Sequence, residues 1–241
     1  MVKGMNHMKL ITWLLIILLM AGAGYYGYTN YWASSEIAEF NPQGEQMVYL
    51  EGLPQTEKDI FLEEQGVLLL KASYIEHLAD AQFIWDESEE TMEIISLDTV
   101  FKIKLGEGFY MENDESMEMA VPLQRVNGKL YVPMSIVQPL LKVDWIYRDQ
   151  DKTLLLEEQR ICRLVAEVIV EGATIRQDPS IKAPLYNIPL APGDTLLVYE
   201  THEKWLKVRT ETGFIGFIHK SEVKRYEECR PGQRPASQTG A

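Results

Sequence analysis

Sliding the chain against itself by 62 residues aligns GVLLLKASYIEHLADAQFIWDESEETMEI, from Gly66, with GKLYVPMSIVQPLLKVDWIYRDQDKTLLL, from Gly128, without a gap. Identical residues stand at Gly66/Gly128, Leu68/Leu130, Ser73/Ser135, Leu78/Leu140, Ile84/Ile146 and Thr91/Thr153. The similar pairs Ile75/Val137, Ala81/Val143, Phe83/Trp145, Trp85/Tyr147 and Met92/Leu154 fall where a shared core needs them. Two copies are too few for a solenoid, so the pattern points to duplication of one supersecondary unit.

Both copies follow the same order of elements. A glycine turn precedes a short apolar strand (Val67 to Leu70; Leu130 to Val132), which leads to a serine placed to cap a helix. In the first copy Tyr74, Ile75, Leu78 and Ala79 share one helix face. A second strand carries its aromatic pair, Phe83 with Trp85 or Trp145 with Tyr147, at alternate positions on one side of a sheet. An acidic turn then starts a third strand at Thr91 or Thr153. This grammar predicts an α+β duplicated domain over 34–160, with repeats at 47–95 and 109–157.

Charge separates the chain into parts. Residues 1–33 carry 2 basic and 0 acidic side chains, 34–160 carry 10 and 26, and 161–241 carry 11 and 10. A net charge of -13 offers no general cationic surface to a phosphate backbone, so nucleic acid is not an expected partner. In the first part, Leu10 to Tyr28 is almost wholly apolar, behind Lys3 and Lys9. A run of that length predicts an N-terminal transmembrane helix with the remainder extracytoplasmic, Tyr25, Tyr26, Tyr28, Tyr31 and Trp32 forming an outer aromatic belt. Ala21-Gly22-Ala23 leaves open a cleavable signal peptide, and with it secretion.

From Val168 the pattern becomes all β. Runs at 173–176, 184–188, 195–199, 205–210 and 214–218 alternate with turn signals at Asp178-Pro179, Pro192-Gly193-Asp194, His202-Glu203-Lys204 and Glu211-Thr212-Gly213, the spacing of a compact barrel over 161–225. Residues 226–241 read as a disordered tail or linker. Cys162 and Cys229 bracket this part and form a candidate disulfide, two free thiols being the other reading.

Two resemblances sharpen these readings. Asn127-Gly128-Lys129-Leu130-Tyr131-Val132-Pro133-Met134-Ser135 with Val143-Asp144-Trp145 resembles the copper amine oxidase N-terminal-like domain of exported Gram-positive proteins, over residues 47–157. The first copy departs from it, with Lys71 where the proline stands. The name does not carry copper chemistry here. The four histidines, His7, His77, His202 and His219, are scattered, so no copper, no other metal and no cofactor are expected. The acidic clusters 86–90 and 112–115 lack the ligand alternation of a calcium loop and read as solvated turns.

Residues 168–224 resemble the bacterial Src homology 3-like (SH3-like) domain in Ile175-Arg176 with Asp178-Pro179-Ser180, Gly193-Asp194, Trp205-Leu206-Lys207-Val208-Arg209, Gly213-Phe214-Ile215-Gly216-Phe217-Ile218 and Val223. The resemblance implies binding of peptidoglycan or a peptide. Trp205, Tyr199, Tyr186 and Arg176 are the candidate ligand contacts, with packing roles for Trp205 and Tyr199 as the competing reading.

No nucleophile elbow, HExxH motif, phosphate-binding glycine loop or CxxC pair occurs, so no catalytic residue is expected. An anchor, a duplicated domain of this kind and an SH3-like barrel together resemble the front end of exported family 18 glycoside hydrolases, whose DxxDxDxE signature is absent here. The expected function is a membrane-anchored cell-envelope protein that binds a wall polymer. The alternatives are the targeting portion of such a hydrolase and a protein-protein adaptor that uses the barrel for a peptide.

Overall fold

The computed structural model describes residues 15–22, 33–97, 99–160 and 162–229. It is mostly β with few helices. Residues 15–22 are helical (α1), but most of the expected membrane run lies outside the described residues. Among the described residues no helix is long and apolar enough to cross a membrane. The chain divides into two compact units, one of residues 41–163 with 228–229 and one joining 33–40 to 164–227.

In chain order the early strands are β1 (Ile37–Ala38), β2 (Met47–Leu50), β3 (Leu53–Pro54), β4 (Phe61–Glu64) and β5 (Val67–Lys71), followed by α2 (Ala72–Leu78). Next come β6 (Ala81–Asp86), β7 (Thr91–Ser96), β8 (Val100–Lys104), β9 (Phe109–Glu112) and β10 (Glu115–Glu118). The second copy supplies β11 (Gln124–Val126), β12 (Lys129–Pro133), α3 (Met134–Leu141), β13 (Val143–Arg148) and β14 (Thr153–Glu158).

A four-stranded sheet, β11-β12-β5-β4, is the centre of the middle unit. Its inner strands are the leading strands of the two copies, paired antiparallel with Leu70 facing Val132, and with Leu69 facing Pro133 and Lys71 facing Tyr131 to either side. Leu70 and Val132 are equivalent in the repeat, so a local two-fold relation runs through that pair. The flanking hairpins repeat it. Glu64 faces Val67 across a Gln65-Gly66 turn, and Val126 faces Lys129 across Asn127-Gly128. Both turns have φ positive at both central residues (52° and 77°; 51° and 76°), the type I′ geometry that suits twisted strands. Glycine in second place avoids the Cβ strain of that conformation.

Each leading strand runs straight into its helix. Ser73 and Ser135 do not cap: the helices start at Ala72 and Met134, behind extended Lys71 and Pro133, with no side-chain cap bond. The serines are thus second residues of their helices, too far along to accept from the free N–H groups of the first turn. Tyr74 and Ile75 are buried and Leu78 and Ala79 half-buried, as the helix-face spacing predicts. The Tyr74 hydroxyl is buried without a hydrogen-bond partner. Burial, then the nearby Glu57 charge, pushes its pKa up to about 12.

The hairpins β6-β7 and β13-β14 also correspond, Asp86 facing Thr91 as Arg148 faces Thr153. They are extended differently. β7 continues antiparallel into β8, β9 and β10, whereas β14 takes β2 in parallel, with β3 beyond it. Residues 109–118, counted from sequence with the second repeat, therefore complete the sheet that extends the first. The aromatics interlock across the two-fold relation: Tyr147 of the second copy packs edge-on against Phe61 (5.6 Å) and donates to Glu63 Oε2 (2.9 Å), while Trp85 of the first lies under the Arg125 guanidinium (4.9 Å). One apolar core containing Leu70, Ile75, Ile94, Val132, Ile136 and Leu154 joins both copies.

The other unit is built from β15 (Cys162–Val168), β16 (Leu185–Tyr186), β17 (Thr195–Thr201), β18 (Trp205–Arg209), β19 (Ile215–His219) and β20 (Val223–Cys229). Five of these form one sheet in the order β19-β18-β17-β15-β20, while β16 pairs in parallel with β1. The core is Ala166, Val168, Ile175, Leu196, Leu206, Val208 and Ile218 among others. β15 and β20 were not legible as strands because Arg163, Glu167, Lys224, Arg225, Glu227 and Glu228 break up their apolar pattern. The expected run at 173–176 reduces to isolated bridges from Arg176 to Leu185 and Phe217.

Cys162 and Cys229 form a disulfide (Cα–Cα 4.0 Å) between the first residue of β15 and the last of the neighbouring β20. With the cysteines 67 positions apart in sequence, loop-closure entropy makes such a link worth about 4 kcal/mol. Replacing both cysteines by serine is expected to lower stability by about that amount, read as a lower urea midpoint with an m-value that rises as the unlinked denatured chain exposes more surface.

Candidate functional site

The four residues expected to contact ligand are deeper than a surface platform requires. Arg176 is 6% exposed, and its Nη1 donates to Ala183 O (2.7 Å) and Ser34 O (3.0 Å). Tyr186 is half-buried, with its ring 5.5 Å from Phe40, which also meets Phe214 edge-on at 5.7 Å. Arg176 and Tyr186 therefore converge on the segment ending at Phe40. Tyr199 is the extra residue of a β-bulge, where pairing jumps from Val198/Val208 to Glu200/Lys207, and it is half-buried. Trp205 is 8% exposed and packs edge-on against His219, across the β18-β19 pair, at 5.2 Å.

Around Trp205 the structure assembles a face that the sequence reading reached only in part. Alternation along β18 sends Leu206 and Val208 into the core, both fully buried, and puts Trp205, Lys207 and Arg209 on the other side. Pairing adds Phe217 opposite Lys207 on β19 and Glu200 opposite it on β17. Glu200 accepts from Lys207 Nζ (2.8 Å) and lies 3.3 Å from His202 Nε2, while the His202 ring sits 5.5 Å from Phe217. His219 Nδ1 contacts the Ser221 hydroxyl at 2.6 Å. Glu200, His202, Phe217 and His219 were missed because they come from β17, the turn after it and β19, and only the folding of these onto β18 brings them together.

The Lys207 hydrogen bond holds the Glu200 carboxyl below the usual glutamate range, against a smaller opposing effect of burial, with the Lys207 and His202 charges assisting. A small cleft of about 270 Å³ lies in the same unit, lined by Leu190, Asp194, Leu196, Thr210 and Thr212. Its polar groups serve its own turns: Asp194 Oδ2 accepts from Ala191 N–H (2.8 Å) and Thr210 Oγ1 from Phe214 N–H (3.0 Å). Half-exposed rings, ammonium and guanidinium groups and imidazoles suit polar ligands with flat apolar faces.

The middle unit carries the family signal. Residues 54–156 match the family model of the copper amine oxidase N-terminal domain. No curated protein and no solved structure matches the chain. The matched segment runs from the last residue of β3 into β14, and so spans both copies and the meander between them. Its residues do not fit a copper site. The one histidine in it, His77, is exposed on α2 with Nδ1 bonded to Ser73 O, and among the described residues no three His, Cys, Asp or Glu side chains stand together as a metal site. The cluster at 86–90 closes on itself, Asp86 Oδ1 accepting from Ser88 N–H (2.8 Å) and Ser88 Oγ (2.7 Å).

A lowered Glu200 pKa adds stability that is full above the unfolded-state value and is lost as pH falls through the folded one. Lys207→Met is expected to be less stable than the parent by up to about 1 kcal/mol at pH 7, the pair being half-exposed. The gap is expected to close as pH falls through the lowered Glu200 value and the carboxylate is protonated, as read from urea midpoints at neutral and strongly acidic pH.

Proposed function

We propose that the chain is a membrane-anchored extracytoplasmic protein whose C-terminal unit is an SH3-like barrel that binds peptidoglycan or a related wall polymer without acting on it chemically. The observation that carries this reading is the face on β17, β18 and β19. There Phe217 offers ring surface to sugar C–H groups, with the buried Trp205 as support, and Lys207 and Arg209 offer cations to the carboxylates of a wall peptide. A five-stranded sheet of short strands over the range of the SH3-like resemblance supports the fold half of the proposal. The apolar run behind Lys3 and Lys9 supports the anchor, and a structural disulfide fits an oxidising compartment.

The test is co-sedimentation of the chain with insoluble peptidoglycan and, in parallel, with chitin. Retention on peptidoglycan is expected, reduced about tenfold by Phe217→Ala, a loss of about 1.4 kcal/mol, with Lys207→Met weakening it in a salt-sensitive way. Absence of the chain from both pellets would contradict wall binding and point to a protein partner.

A further inference from the structure

The two copies differ most where each helix hands over to its hairpin. In the second copy that place is closed by the chain's own continuation. Gln159 follows β14; its N–H bonds Lys142 O (2.7 Å), and its Nε2 donates to Val143 O (3.3 Å) and Asp144 Oδ1 (3.0 Å). Arg163 then reaches back to Glu157 Oε2 (3.0 Å) and to Glu158 O. In the first copy the chain turns away instead. Ser96 N–H bonds Thr99 O (2.9 Å), the strand folds back into β8, and Leu97, the counterpart of Gln159, is 89% exposed.

What remains is an open groove of about 550 Å³ at the end of α2, lined by Glu76 and Asp80 with Gln82, Ile95 and Leu97. Ile95 is 36% exposed. β6 is the last strand of its sheet, and among the described residues no strand pairs with its outer edge.

Charge selects the occupant. The counterparts of Glu76 and Asp80 are Gln138 and Lys142, so the first copy has two acids one turn apart where the second has an amide and a cation. Like charges at that spacing repel. Gln138 Oε1 is also taken by Trp145 Nε1 (3.3 Å), a donor missing from the first copy, where Phe83 stands. With 26 acids against 10 bases in residues 34–160, a second copy of the chain or an anionic polymer is repelled here. We propose that this groove receives an extended cationic segment of a partner polypeptide, with a basic side chain between Glu76 and Asp80 and an apolar one against Ile95 and Leu97.

The probe is a fluorescein-labelled Lys-Val-Arg-Val-Lys-Val peptide, passed over the full chain immobilised on a sensor surface at about 0.1 M salt. Lys-Ser-Arg-Ser-Lys-Ser and Glu-Val-Glu-Val-Glu-Val serve as controls. Saturable binding of the first peptide is expected, with both controls weaker by about tenfold or more. The triple variant Glu76→Gln, Asp80→Lys, Leu97→Gln installs the second copy's residues at exposed positions and is expected to cost about tenfold in affinity. Glu89→Gln, Glu115→Gln, Glu118→Gln makes the same change in net charge elsewhere and is expected to leave affinity within about twofold. Absence of saturable binding, or equal losses in the two variants, would overturn the proposal.

Discussion

The middle unit depends on one strand pairing, that of β5 with β12. It sets equivalent residues of the two copies face to face at Leu70 and Val132, and everything symmetric in the unit follows from that register. A shift of one residue would turn the fully buried Leu70 and Val132 to the other side of the sheet and break the continuity of the core. Neither copy has a closed core alone. Phe61 of one meets Tyr147 of the other, and Glu63 and Arg125 each meet an aromatic from the opposite copy.

Within that frame the copies have diverged in charge more than in shape. Lys71 occupies the place of Pro133 and, although nearly buried, keeps its ammonium paired with Glu57 and bonded to Lys58 O. An isolated buried ammonium would be strongly unfavourable, so the 57–58 segment is held where its acceptors are needed. Burial, with Glu63 beside it, pushes the Tyr147 pKa up to about 12, while its counterpart Trp85 has no titratable group and takes a cation on its face. The fold tolerates these exchanges because they lie on the rim of the shared core.

The repeat made the elements of both copies legible: the glycine turns, the short helices, the aromatic hairpins and the threonine-led strands come directly from aligned residues. The meander β8 to β10 and the parallel entry of β2 were not legible, since Val48 and Tyr49 lie over 100 residues from their partners Leu154 and Leu155. The grouping of 33–40 with the C-terminal unit was hidden for the same reason. Ile37 and Ala38 are an unremarkable pair in sequence, yet they lie alongside Leu185 and Tyr186 and continue to Phe40, which packs on Tyr186. In the candidate site, Trp205 and Lys207 were visible through alternation along a single strand. Phe217, Glu200 and His219 depend on the registers of three strands, which no local pattern encodes.

Native-state hydrogen exchange of the β5 and β12 amides tests the shared-core arrangement most directly. If the two copies form one cooperative body through Leu70 and Val132, both sets of amides exchange through a common opening with the same free energy, the highest in the middle unit. Exchange of the β12 amides while those of β5 stay protected would contradict it.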